Sequence, residues 1–296
     1  MSDDKTSKGT SRETSGPAGL SRRDLGVLAA GAAVAASAQA RAAPLKVMEM
    51  DVEVQTPDGA CDAVFVHPMG KAPAGGWPAV LVWTDIMGLR PVFRQMASRM
   101  AAEGYAVLVP NPFYRKGRAP IPSGPVNWAD PADRAKLMEL RSALTPEATA
   151  RDAIACFAWL DGQSLVDPGK GAGVQGYCMG GPMAFQAAAA LPDRIAAVGS
   201  FHGGGLVTSA PDSPHKLVAR TRAEYLVAIA ENDDQKEPQA KDALRAAFKA
   251  AGRPAEVEVY AGAQHGWCVP GSAVYNAEAA ERAWSALLAM YRRRLT

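Results

Sequence analysis

The chain has 296 residues, with 32 Lys and Arg against 30 Asp and Glu, so its formal net charge is only +2 at pH 7. That near balance leaves no polybasic face and argues against nucleic acid or an anionic membrane as a partner. Four cysteines, Cys61, Cys156, Cys178 and Cys268, are too few and too scattered for a disulfide scaffold or a zinc site, so neither a metal nor another cofactor is expected.

Residues 1 to about 20 are rich in Ser, Gly, Thr and charge, a composition that favours disorder. Ser21-Arg22-Arg23-Asp24-Leu25 then introduces an Ala/Gly/Val run from Gly26 to about Ala38, too short to span a bilayer. Ala38-Gln39-Ala40, or Ala40-Arg41-Ala42, supplies an A-x-A cleavage signal. Paired arginines ahead of a weakly apolar, alanine-based core resemble a twin-arginine export signal. Residues 1–42 are therefore read as a disordered N-terminus plus signal peptide that leaves no stable membrane anchor. The mature protein is expected to be periplasmic or secreted from a bacterium, as a monomer or weak dimer. About 255 residues remain, 43–296, the size of one domain with a full core.

Within that domain, Lys46 to Val54 and Asp62 to His67 alternate as an antiparallel strand pair, and Pro78 to Trp83 is a continuous apolar strand. A helix is predicted over Pro91 to Glu103, leading through Gly104 into a strand from Tyr105 to Pro110. Asn111 to Asp130, rich in Pro, Gly and basic residues, reads as a long loop that covers the pocket. Asp130-Pro131 caps a short helix, and Thr145-Pro146-Glu147 opens a longer one as N-cap, N1 and N2, with Cys156 on its apolar face. Beyond these come strands ending at His202 and Asn232, a helix from Lys236 to Ala251 stopped by Gly252, a strand from Glu256 to Tyr260, and an amphipathic helix from Val274 to about Arg293. No internal repeat or second domain is visible. The alternation of strand and helix implies a single α/β domain with a mostly parallel sheet, flanked by helices through right-handed crossovers.

Gly176-Tyr177-Cys178-Met179-Gly180-Gly181 places a thiol where a G-x-S-x-G nucleophile elbow places a hydroxyl. Gly173-Val174-Gln175 before it read as the end of a buried strand, and Pro182 to Ala187 after it begin an Ala-rich helix. The glycines permit a strained turn, and the helix N-terminus behind the sulfur favours the anionic form that attacks carbonyls. The acid candidates follow the apolar run Leu226 to Ala230, at the carboxyl end of a strand, where α/β sheets put their chemistry. Asp233 and Asp234 both stand there. Asp233 is preferred, as the first carboxylate after the Asn232 turn, with Asp234 suited to cap the next helix. The histidine candidate is His265, in the loop after the strand ending at Tyr260. Its position completes the order nucleophile, acid, histidine. Of the four histidines, His202 ends another buried strand and competes, but it precedes the acid and is read as lining the pocket.

These residues, with Trp83-Thr84-Asp85-Ile86-Met87-Gly88-Leu89 upstream, resemble the dienelactone hydrolase family over nearly all of the chain after about Lys46. The resemblance implies an eight-stranded α/β-hydrolase fold and a Cys178-Asp233-His265 triad. It also implies cleavage of an enol-lactone or small carboxylic ester through a thioester acyl-enzyme. Asp85 would contact the resting nucleophile and activate it, and the backbone N–H groups of Ile86 and Met179 would form the oxyanion hole. Two departures accompany it. Asp85 is one methylene shorter than the family's glutamate, and Cys268, Val269 and Pro270 stand where dienelactone-cleaving members carry a carboxylate-gripping arginine. Tyr114, Arg115 and Arg118 are the counterparts available for a second substrate contact, and Trp267 would offer an aromatic one to a neutral lactone or ester. A ligand-binding or thiol-based non-hydrolytic protein on the same scaffold is the alternative.

Overall fold

In the computed structural model the described residues are 43–124 and 126–295, so the expectations on 1–42 lie outside them. One compact unit spans Pro44–Thr296. Its eight strands are β1 (Val47–Thr56), β2 (Gly59–Pro68), β3 (Ala79–Trp83), β4 (Ala106–Pro110), β5 (Ala172–Tyr177), β6 (Ile195–Phe201), β7 (Glu224–Ala230) and β8 (Ala255–Tyr260). They form one sheet in the order β1-β2-β4-β3-β5-β6-β7-β8. Only the β1–β2 and β2–β4 pairs are antiparallel. The remaining neighbours run parallel.

The central strands are apolar runs because both faces of the sheet are covered. All five residues of β3 and all five of β4 are buried, the pattern expected where helices pack above and below. Alternation sorts them into two cores. Ala79, Leu81 and Trp83 point to one, with Ala153, Phe157 and Phe185 from α3 (Pro146–Asp161) and α4 (Gly180–Ala190). Val80 and Val82 point to the other, with Phe93 and Met100 from α1 (Pro91–Ala101) and Trp284 and Leu287 from α8 (Ala277–Arg294).

Local chemistry sets the helix starts. Asp130 accepts hydrogen bonds from Ala132 N and Asp133 N at the head of α2 (Pro131–Ser142), and Thr145 accepts from Ala148 N at the head of α3. Gly252 ends α7 (Ala240–Ala251) in the left-handed conformation, which glycine adopts without a Cβ penalty. The structure differs from the predicted elements in one place that matters for function. β7 stops at Ala230, and Glu231–Lys236 form a separate short helix, α6, before α7. The run Glu-Asn-Asp-Asp-Gln-Lys has no apolar spacing to mark a helix. A further short helix, α5 (Pro214–Leu217), follows β6.

All four cysteines are free. The fold keeps Cys61 and Cys268 apart, since their side chains belong to the two different cores. Cys61 instead donates to Asn111 O at 3.5 Å. Cys268 likewise forms no bond to Cys178, which packs against the other core.

Candidate active site

Cys178 and His202 occupy equivalent positions, each one residue beyond the end of a central strand. Among the described residues they are the non-glycine ones with positive φ, 53° at Cys178 and 39° at His202. For such residues this region is strained by about 1–3 kcal/mol and persists only where the surroundings hold it. Backbone bonds to the next strand do so. Cys178 N donates to Phe201 O at 3.0 Å, and His202 N donates to Ala228 O at 2.8 Å. Both side chains are thereby turned up from the sheet edge.

The sharp turn at Cys178 requires its glycines. A Cβ on Gly176 would lie 1.9 Å from Gly180 O, and one on Gly180 would lie 2.5 Å from Trp83 O. Strand, turn and helix could not close this tightly with any side chain at either position. The N–H of Met179 stands at the head of α4, where first-turn N–H groups have no intrahelical partner.

Histidine and acid arrive from the far end of the sheet. His265 Nδ1 lies 2.6 Å from Asp233 Oδ2, and His265 N donates to Asn232 Oδ1 at 2.9 Å. The loop is fixed further by Glu231 N donating to Ala263 O at 2.9 Å. Asp234 turns away to Lys241, at 2.7 Å. Of the two acids, Asp233 is therefore the one in contact with the histidine. Cys178 Sγ and a ring nitrogen each of His202 and His265 all lie within 4.8 Å of one another. Burial pushes the His265 imidazolium down, but its hydrogen bonds to Asp233 and to Cys178, with the electrostatic attraction of both groups, outweigh it and raise the group from 6.5 to about 10.

His202 is 1 % exposed. Burial, then the neighbouring His265, hold it well below its ordinary value, so the ring is neutral. It meets the His265 ring edge-on at 4.8 Å between centroids.

Several expected contacts are corrected by the structure. Asp85 does not meet Cys178. Its Oδ1 accepts from Arg90 Nη1 at 2.6 Å and from Met87 N at 2.9 Å, and its Oδ2 accepts from Arg90 Nη2 at 2.8 Å. The carboxylate thus ties down the loop that carries Ile86. Tyr114, Arg115 and Arg118 are committed elsewhere as well. Tyr114 OH bonds Thr56 and Asp152, Arg115 pairs with Asp152 and Asp58, and Arg118 pairs with Glu53. Those interactions pin the loop after β4 to β1, the β1–β2 turn and α3. Trp267 is fully buried and stacked on Tyr260 at 4.6 Å, so it supports the wall behind His202 instead of facing a substrate.

A cleft of about 250 Å³ opens beside the elbow, lined by Met179, Met183, Gln186, Gly204, Asp212 and Arg141. A smaller one, of about 80 Å³, borders Asp233 and shares Gly204 with it. Arg141, near the end of α2, has no ion pair among the described residues. Sequence reasoning missed it because nothing local marks a surface arginine on an amphipathic helix as facing a cleft. A separate apolar cavity of about 150 Å³ lies between α1 and α8, bordered by Tyr177, Cys268 and Trp284, and contains none of the three triad candidates.

Strand order, the positive-φ elbow after β5, and a histidine–acid pair after β8 and β7 define an α/β-hydrolase. Within that class the chain belongs to the dienelactone hydrolase family, whose pattern it matches over residues 62–295. It is 27% identical over 260 residues to an Escherichia coli (strain K12) protein named "Putative carboxymethylenebutenolidase", covering 81% of this chain and 90% of that one. It is 25% identical over 224 residues to the carboxymethylenebutenolidase of Rhodococcus opacus, covering 75% and 82%. Among solved structures, the dienelactone hydrolase-like promiscuous phosphotriesterase P91 from metagenomic libraries superposes with a TM-score of 0.65 at 23% identity, over 85% of this chain and all of the other. That likeness speaks to the fold.

Proposed function

We propose that this protein hydrolyses small carboxylic esters or lactones with Cys178 as nucleophile, His265 as acid and base, and Asp233 as the group that orients His265. The observation that carries this reading is a thiol in an αL elbow beside an imidazole whose other nitrogen is bonded to a carboxylate at 2.6 Å. The thiolate sulfur attacks the carbonyl carbon, and the carbonyl oxygen takes up the charge under the N–H groups of Ile86 and Met179. As the tetrahedral species collapses, the ester C–O bond breaks and His265 passes its proton to the departing alkoxide. Water then gives a proton to His265 and attacks the thioester. The C–S bond breaks, releasing the acid and returning thiolate and imidazolium. Asp233 keeps the proton of Nδ1 in place throughout, so that Nε2 faces the reacting atoms.

The cleft beside the elbow is lined by Met179 and Met183 next to Cys178, although Cys178, His265 and Asp233 are not themselves in its lining. Arg141 is the cation within it, and an anionic group on the substrate can meet its guanidinium without breaking another ion pair among the described residues. Asp85, held by Arg90, serves by fixing the oxyanion loop. We propose further that residues 1–42 act as a twin-arginine export leader, on the strength of Arg22-Arg23, the alanine-rich run and the A-x-A sites.

The test is turnover of an activated aryl ester and of a dienelactone by the wild type, Cys178→Ala and Arg141→Gln. Cys178→Ala should lower kcat by about 10⁶-fold, as loss of a nucleophile does elsewhere. Arg141→Gln should raise KM for the anionic lactone by about tenfold and leave the neutral ester unchanged, the loss of one exposed charge contact. Equal turnover in Cys178→Ala would refute the thiol mechanism.

A further inference from the structure

The mechanism above uses one ring nitrogen of His265 for catalysis and the other for Asp233, and it gives His202 no task. Yet His202 is the most anomalous polar side chain in the site. It is 1 % exposed, held in a left-handed backbone conformation, and both Nδ1 and Nε2 are buried without a hydrogen-bond partner. A buried imidazole left unsatisfied costs free energy that phenylalanine in the same space would avoid. Neutral imidazole with an unused lone pair is the commonest metal ligand.

We infer that Cys178, His202 and His265 form a three-ligand site for Zn²⁺, whose occupation switches the nucleophile off. The ligand atoms converge from the ends of three strands and lie within 4.8 Å of one another. With bonds of about 2.3 Å to sulfur and 2.0–2.1 Å to nitrogen, tetrahedral Zn²⁺ sets its ligands about 3.3–3.6 Å apart. Inward shifts of about an ångström by the half-buried Cys178 and His265 side chains close that gap. One thiolate and two imidazoles are a donor set suited to Zn²⁺, and the fourth position remains for water. Asp233 completes the arrangement. Its bond to His265 Nδ1 at 2.6 Å reproduces the carboxylate–histidine support that orients metal-bound imidazoles, and leaves Nε2 for the ion. The thiolate and Asp233 together balance the two positive charges. On binding, the proton held between Cys178 and His265 passes to solvent, and sulfur and nitrogen form their bonds to the metal. Spacing along the chain could not reveal this cluster, because its members lie 24 and 63 residues apart, from 178 to 202 and from 202 to 265.

The site rests on geometry, and only its inhibitory consequence rests on the hydrolase reading. The test is calorimetric titration of the full chain with Zn²⁺ under a non-chelating reductant, beside mass-spectrometric measurement of iodoacetamide labelling at Cys178. One ion should bind per chain. Labelling should slow at least about tenfold and recover with EDTA, and folded His202→Gln or Cys178→Ser should each weaken binding at least about tenfold. If His202→Gln does not fold, Co²⁺ binding to the wild type decides, by showing or lacking a thiolate-to-metal charge-transfer band. Unchanged affinity in folded His202→Gln, undiminished labelling with bound metal, or no thiolate band would overturn the site. Ester turnover is read separately. Zn²⁺ binding to a protein with no turnover would sink the hydrolase reading alone, whereas turnover indifferent to Zn²⁺ would sink this inference alone.

Discussion

The Asp233–His265 bond has consequences for both pH dependence and rate. The ring's raised value means that, relative to an unfolded histidine at 6.5, the folded protein binds its proton more tightly up to about 10. The pair's contribution to stability is therefore complete below 6.5 and is lost as pH rises through about 10. Asp233→Asn removes the carboxylate charge while keeping the shape. The His265 titration midpoint, followed by NMR, should fall from about 10 toward 6.5, the alkaline decline in melting temperature should flatten, and kcat should drop by about 10⁴-fold. A midpoint that stays put in the variant would show that Asp233 does not hold the proton. Cys178, Asp233 and His265 could be proposed from the sequence because each follows an apolar strand signature, and the structure brings the three near one another. His202's orphaned nitrogens and the Asp85–Arg90 pair could not be. Tyr114 and Arg115 misled for the same reason, since their partner Asp152 is 38 and 37 residues away and no local pattern announces it.

Among the elements, the β5–α4 junction is the most demanding, because the position of Cys178 depends on two chain segments touching. The Cβ of Gly176→Ala would enter the space of Gly180 O, at 1.9 Å, and backbone cannot yield there as a flexible side chain would. The expected cost is about 3 kcal/mol, read as a lower urea midpoint, and turnover should fall further than stability because the elbow itself is distorted. Gly204→Ala is the matched control. Nothing lies within 4 Å of a Cβ at that position, so its stability should stay within about 0.5 kcal/mol of the wild type. Equal destabilisation by both would mean that the elbow tolerates the side chain and that its glycines are incidental. Strands and capped helices were readable because apolar runs and Asp130 or Thr145 caps are local. The short helix Glu231–Lys236, which carries the acid, was not, because its polar residues gain their helical form from tertiary bonds such as Gly262 N donating to Glu231 Oε2.

Across the whole molecule, the sheet is the partition that decides which residues can meet. It separates the two cores, keeps Cys61 from Cys268, and gathers the ends of β5, β6, β7 and β8 at one edge, so that residues scattered from 178 to 265 share a site. The β-α alternation made this architecture readable in advance, since parallel strands with right-handed crossovers leave few alternatives. The described structure is tied in from Leu45, whose N–H donates to Ala102 O at 2.9 Å, and β1 starts at Val47. A chain beginning at Ala43 should therefore match the full chain in turnover, and in melting temperature to within about 2 °C, the shift that half a kilocalorie per mole produces in a domain of this size. Arg22→Lys with Arg23→Lys should retain the protein in the cytoplasm of its host while leaving the purified enzyme unaltered, because a twin-arginine receptor reads the guanidinium pair and the fold does not. Periplasmic delivery of the double variant at wild-type levels would reject that leader, and a large loss of stability in the shortened chain would show that residues 1–42 belong to the fold.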